Sequence, residues 1–213
     1  MEFLPTLPVL SAFTIATLIL TVTPGPDMTL FLGKALTQGR AAGMAAMLGA
    51  STGIVIHTLL AAFGISALIQ GSPKGFLVLK VIGAIYLLWL AIQAIRDGSS
   101  LSLERDAERD ISLFSNWLTG IGINLLNPKI ILFFITFLPQ FISTSDPNAS
   151  GKMVFLGFYF ISVAVVFSSC LIYAVDKVSA ALKKNPRITR AIDWIFACVF
   201  SAFAFRILFT ERG

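Results

Sequence analysis

Six stretches, at about residues 7 to 33, 43 to 69, 76 to 95, 117 to 142, 153 to 175 and 191 to 209, run nearly free of charge, and each is about as long as a bilayer crossing. They are broken where Lys, Arg, Gly, Pro and Ser collect. A helix that is apolar on all sides needs cover on all sides, and only a bilayer supplies that to so many helices in so short a chain. Charged residues make up 13% of the sequence, half the share of roughly a quarter found in soluble domains. With 213 residues, six spans and short connections leave no room for a separate soluble domain. The sequence therefore predicts an all-α integral membrane protein, residues 1–213 forming a single transmembrane domain that lies in the lipid bilayer.

The same inventory excludes several chemistries. Cys170 and Cys198 both lie inside apolar runs, and His57 is the only histidine, so neither a disulfide framework nor a His/Cys metal site is expected. The sequence contains no phosphate-binding Gly-Lys-Ser/Thr loop, paired metal carboxylates or nucleophile elbow, which argues against ATP hydrolysis and against enzymatic chemistry, with no metal or cofactor. The net charge of +5 does not point to nucleic acid, because basic excess in a membrane chain belongs to its cytoplasmic loops. Met1-Glu2 opens the chain and no Lys or Arg precedes Lys34, so the first apolar run is expected to be retained rather than cleaved as a signal peptide.

Lys and Arg fall unevenly between the connections. Lys34 and Arg40, then Arg96, Arg105 and Arg109, then five residues from Lys177 to Arg190 lie on one side; Lys74, Lys152, Arg206 and Arg212 lie on the other. The positive-inside rule then puts both termini on the non-cytoplasmic side. The longest connection, 97–115, carries the charged run Glu104 to Asp110 and reads as a cytoplasmic linker between a first repeat, 1–96, and a second, 116–213. With three spans in each half, the second half enters the membrane inverted relative to the first.

Helices 1 and 4 are interrupted. Thr23-Pro24-Gly25-Pro26-Asp27 puts two prolines, a glycine and an acid inside an apolar run, and Asn127-Pro128-Lys129 does the same with a lysine. Proline removes a donor and clashes with the preceding turn, so both helices should break there. Thr23 and Asn127 are expected to cap the second pieces, with a proline in each first turn. Pro24 lies ten residues before Lys34, and Asn127 ten after Trp117. At about 1.5 Å per residue both breaks sit roughly 15 Å deep, near the midplane. Paired discontinuous helices at that depth point to a transporter substrate site. Freed amides suit a carboxylate and freed carbonyls an ammonium group, while Asp27 and Lys129 each offer a full charge, so a zwitterion matches. An intramembrane Asp27 can also carry a coupling proton. The competing reading is that the prolines only kink the helices and that Asp27 and Lys129 neutralise one another.

Ala45, Gly49, Gly53 and His57 repeat every four residues and make a small-residue face for close helix packing. His57 at its end is either a packed, hydrogen-bonded residue or a proton-relay member. Asn116, Gly120 and Asn124 form a similar stripe leading to the second break, which makes Asn124 a candidate cavity residue. Asp176 and Asp193 read as solvated ends or partners of Lys177 and Arg190, and Tyr159, Tyr173, Ser168 and Ser169 as helix-to-helix bonding groups, with the lining of a path as the alternative.

Thr23-Pro24-Gly25-Pro26-Asp27, Gly39-Arg40-Ala41-Ala42-Gly43 leading to Leu48-Gly49 and Gly53, the run Gly83 to Leu90, and Asn127-Pro128-Lys129 followed by Phe137-Leu138-Pro139-Gln140-Phe141 together resemble the LysE/RhtB amino-acid exporter family, in order and over nearly the whole chain. Ala91 departs from the glycine that many relatives carry. The resemblance implies a bacterial inner-membrane exporter of amino acids or their derivatives, driven by the proton-motive force. It also implies functional positions at Pro24, Gly25, Pro26 and Asp27 and at Asn127, Pro128 and Lys129. Two other functions stay open at this point: an accessory membrane subunit whose breaks shape an interface, and a divalent-metal exporter. A homo-oligomer also stays open.

Overall fold

A computed structural model describes residues 4–65, 112–143 and 146–177, together with scattered helical positions between 78 and 96 and between 187 and 205. The predicted third and sixth spans are described only at those scattered positions, and Asp193 and nearly all of the 97–115 linker lie outside the described residues. Six helices are resolved within the three continuous segments. They are α1 (Leu7–Val22), α2 (Pro26–Thr37), α3 (Arg40–Leu59), α4 (Leu113–Leu125), α5 (Pro128–Leu132) and α6 (Ala149–Tyr173). A π-helical turn, Leu60–Ile65, extends α3, and a π turn (Phe133–Phe137) followed by a 3-10 turn (Leu138–Phe141) extends α5.

The lengths fit the membrane reading. Arg40–Gly64 and Ala149–Tyr173 are each 25 residues long, and their most apolar 18-residue stretches have mean hydropathy 1.7 and 2.3. Each is about 37 Å long, enough to cross a hydrocarbon layer of about 30 Å with some tilt. The other two spans are bent pairs: α1 with α2 turns by 53°, and Leu113–Leu125 with Pro128–Phe141 turns by 55°. Among the described residues there are thus two straight spans and two broken ones.

The predicted ends shift by a few residues, for identifiable reasons. Gly39, at φ 93°, lets the backbone turn sharply enough to start α3 at Arg40 rather than at 43. The expected linker gives up its last residues to α4, because the Ser112 hydroxyl accepts from Ser115 N–H at 3.2 Å and starts that helix at Leu113 rather than at 117. α6 starts at Ala149 instead of 153, above a turn in which Asp146 accepts from Asn148 N–H at 2.9 Å and from the Lys152 ammonium.

α3 is the central helix: 56% of its most apolar window is buried inside the protein, against 28% for α6. Its contact with α4 is backbone to backbone. A Cβ on Gly49 would lie 1.9 Å from the Trp117 carbonyl oxygen, one on Gly120 would lie 2.1 Å from the Ala46 carbonyl oxygen, and one on Gly53 would lie 2.5 Å from Asn124 Oδ1. Lipid tails are as apolar as leucine, so close approach and dispersion, not water exclusion, hold such a pair. Trp117 Nε1–H also donates to Thr52 Oγ1 at 3.2 Å, and Asn116 Nδ2 donates to Gln38 Oε1 at 2.9 Å. On the other side of the bundle an aromatic core joins α1, α5 and α6. Phe133 lies 4.9 Å from Phe137 and 5.2 Å from Phe160, and Phe13 meets Phe141 edge-on at 5.1 Å. Tyr159 shares a 2.8 Å hydrogen bond with Thr14, a helix-to-helix link of the kind expected for it. Asp176 pairs with Arg40 at 4.0 Å rather than with Lys177 or Arg190, because the ends of α3 and α6 meet there.

Candidate functional site

Both breaks place charge, and the local chemistry explains how. Pro24 restricts Thr23 to extended backbone (φ −66°, ψ 122°), which ends α1. Thr23 was expected to cap α2, but it serves α1 instead: its hydroxyl donates to Ile19 O at 2.7 Å. Gly25 is the residue that leads into α2, with no side-chain cap, and Pro26 occupies the first position, where a missing N–H costs nothing. Asp27 therefore lands in the first turn of α2, at the positive end of its dipole. At the second break Asn127 caps as predicted, its Oδ1 accepting from Lys129 N–H at 3.1 Å.

The breaks then meet. Lys129 reaches across from α5, and its ammonium donates to Thr23 O at 2.9 Å and Leu20 O at 3.2 Å, two carbonyls at the end of α1. The carbonyls expected to be free for a ligand are thus held by the chain's own amine. A Cβ on Gly25 would lie 2.9 Å from Lys129 Nζ, so the glycine gives that amine its room. Asp27 is held not by Lys129 but by the two asparagines near the second break: Asn124 Nδ2 donates to Oδ2 at 2.8 Å, and the Asn127 side-chain amide lies close by. His57 Nε2 lies 3.4 Å from the Asn124 carbonyl oxygen, and its ring stacks on Phe134.

A cavity of about 60 Å³ opens beside these groups. That is room for roughly four to six water-sized occupants. Thr21, Thr23, Asp27, Ser51, Lys129 and Ser168 form its polar wall, and Leu20, Phe31, Met47, Ile54 and Phe160 belong to its apolar one. Of the predicted site residues, Thr23, Asp27 and Lys129 line the cavity. Asn124, expected in its wall, stands behind it instead: it is fully buried against Gly53 and holds Asp27. His57 and Asn127 are likewise buried away from the wall, and Pro24, Gly25, Pro26 and Pro128 shape the backbone around it. Asp27 Oδ1, Asn124 Oδ1 and Asn127 Nδ2 are buried without a protein hydrogen-bond partner. Of these only Asp27 belongs to a residue of the cavity wall, and the Asn127 amide lies close enough to its carboxyl to act on its charge.

Sequence reasoning missed the walls contributed by α3 and α6. Ser51, Met47, Ile54 and Phe160 sit in ordinary apolar helices, where a cavity-facing residue carries the same signature as a lipid-facing one. The spacing of Ser51 and Ile54 from Met47, at i+4 and i+7 on one helix face, is the only signal available, and it does not say what that face looks at. Among the described residues no three His, Cys, Asp or Glu side chains gather as a metal site.

The profile of LysE type translocators matches residues 18–211. An uncharacterized membrane protein, YrhP, of Bacillus subtilis (strain 168) is 26% identical over 196 residues, covering 88% of this chain and 92% of its own. A homoserine/homoserine lactone efflux protein of Salmonella typhimurium is 29% identical over 189 residues, covering 89% and 90%. A leucine efflux protein of Enterobacter sp. (strain 638) is 26% identical over 198 residues, covering 92% of each chain. No solved structure matches. With a bundle of membrane-length helices and a profile match from the first span nearly to the C-terminus, this chain belongs to the LysE type translocator family and is a bacterial multi-pass membrane transporter, not an enzyme.

Proposed function

We propose that the protein is a secondary exporter of amino acids or amino-acid derivatives across the bacterial cytoplasmic membrane, with its substrate site where the two broken helices meet. The observation that carries this is the seating of the Lys129 ammonium on Thr23 O and Leu20 O, beside the Asp27 carboxylate, at the edge of a cavity. A primary amine already sits on carbonyls released by a helix break, and an amino acid presents the same group. The relatives named for homoserine and leucine efflux support small zwitterionic cargo. The apolar wall of Leu20, Phe31, Met47, Ile54 and Phe160 suits a substrate whose side chain carries no charge.

The matched bends of 53° and 55° support two inverted three-helix repeats, 1–96 and 116–213 joined by a cytoplasmic linker, with both breaks near the midplane. The distribution of Lys and Arg supports both termini on the non-cytoplasmic side. Asp27 is the group assigned to proton coupling, with Asn124 orienting it. His57 meets that pair at the Asn124 carbonyl oxygen, which has no proton to pass on, so His57 is read as a packed residue that steadies Asn124 rather than as a relay. The test is counterflow in proteoliposomes with labelled leucine, homoserine and lysine, with and without an imposed pH gradient. Asp27→Asn should insert normally and lose gradient-driven efflux; normal efflux by that variant would remove Asp27 from the mechanism.

A further inference from the structure

We infer that Lys129 is a tethered competitor of the substrate: its ammonium occupies the substrate's own ammonium subsite, formed by Leu20 O and Thr23 O, and moves to Asp27 when an amino acid is bound. This rests on the amino-acid reading above.

Three observations converge on it. The Lys129 amine makes its hydrogen bonds to two backbone carbonyls and not to the carboxylate, although Asp27 is the acid whose charge it feels. Those carbonyls belong to the last turn of α1, and Leu20, Thr23, Asp27 and Lys129 all line one cavity, so an amine arriving there meets the same acceptors. Asp27 meanwhile has an oxygen the displaced lysine can share: Oδ2 is taken by Asn124, while Oδ1 is buried without a full hydrogen bond, with the Asn127 side-chain amide close enough to the carboxyl to act on its charge. Two alternative pairings therefore exist for one amine.

Exchange between them couples substrate to proton without the two touching. With an amino acid on the carbonyls, Lys129 pairs with ionised Asp27. When Asp27 takes a proton from water, it no longer holds the lysine, which returns to the carbonyls and expels the amino acid. Among the described residues, the charged and titratable groups that act on Asp27 are Lys129 from α5 and His57 from α3. Substrate and proton thus alternate, as an exporter driven by an inward proton gradient requires. A lysine on the carbonyls also fills the site during the return of the empty carrier.

The experiment compares exchange with gradient-driven transport in proteoliposomes holding wild type, Lys129→Met or Gly25→Ala, with labelled leucine, homoserine and lysine as probes. Lys129→Met keeps the side-chain length and removes the competitor. It should retain counterflow, lower the half-saturating concentration by about tenfold, and lose the acceleration by a pH gradient. Gly25→Ala keeps the lysine but puts a Cβ 2.9 Å from its amine, at an extended backbone (φ −172°) that alanine adopts freely, so it should move the same readouts in the same direction. It remains informative if Lys129→Met does not fold. Gradient acceleration equal to wild type in either variant overturns the inference, as does loss of counterflow together with coupling in a correctly inserted Lys129→Met. No counterflow of any probe by wild type would overturn the amino-acid reading itself, and the inference with it.

Discussion

One glycine on α4 should be irreplaceable and another, two residues on, should be dispensable. An alanine Cβ at position 120 would lie 2.1 Å from Ala46 O and 2.9 Å from Ala50 N, both backbone atoms of α3 that no rotamer change can move. Bringing the first contact to an ordinary 3.4 Å requires the helices to part by about 1.3 Å. A gap of that size forfeits about half of the dispersion between the facing surfaces. Overpacking of this kind costs about 1–3 kcal/mol, or on the order of 5 °C in melting temperature for a chain of this size. Asn124 lies one turn further along α4, so the same displacement stretches its 2.8 Å bond to Asp27, and a misplacement of about 1 Å at a site costs up to 10²-fold in rate. At position 122 the added Cβ meets nothing within 4 Å, and helix propensity alone favours alanine by about 1 kcal/mol. Thermal unfolding of the detergent-purified variants and their counterflow rates provide the assay. Gly120→Ala should melt lower and transport at least about tenfold more slowly, while Gly122→Ala should melt at or above wild type. A Gly120→Ala protein with wild-type melting and transport would refute the backbone contact on which the geometry of the site depends.

Other expectations concern regions away from the breaks. A Cβ on Gly157 would lie 2.2 Å from Thr58 Cγ2 and 2.3 Å from its Oγ1, so Gly157→Ala should be destabilising by about 1–3 kcal/mol. Here the obstacle is a side chain, and Thr58→Ala in the same molecule should recover part of the loss, as a double-mutant cycle of melting temperatures would show. In the turn before α6 the hydrogen bond from Lys152, then that from Asn148 N–H, hold the Asp146 carboxyl below the usual carboxylate range. A depressed acid contributes stability above its unfolded value of about 4 and loses it as pH falls through the folded value. The protection of amides at the start of α6, taken relative to their intrinsic exchange rates at each pH, should therefore be constant from neutral pH down to about 5 and fall below about 4, and Asp146→Asn should remove that dependence.

The membrane class, the four spans that fall within the described residues and the positions of both breaks were legible in the chain, because each rests on local physics. Charge-poor runs of bilayer length have one stable solvent, and a proline inside such a run ends its helix wherever the partners lie. Asn127 capped as expected for the same local reason, since its side chain reaches only two residues ahead. Thr23 shows the limit of that reasoning: two donors and acceptors compete within one turn, and its hydroxyl took the carbonyl behind it.

What tertiary structure decided is which groups meet. That Lys129 would hold Leu20 O and Thr23 O while Asp27 turned to Asn124 depends on contacts across more than ninety residues of sequence, and every candidate pairing there is chemically reasonable in isolation. The walls of the cavity escaped prediction for a related reason. In lipid, residues such as Met47 and Phe160 are equally at home facing tails, a neighbour or a cavity, so composition fixes the solvent of a helix but not the direction of its faces. Only the distance between helix backbones, set here by Gly49, Gly53 and Gly120, determines which face looks inward.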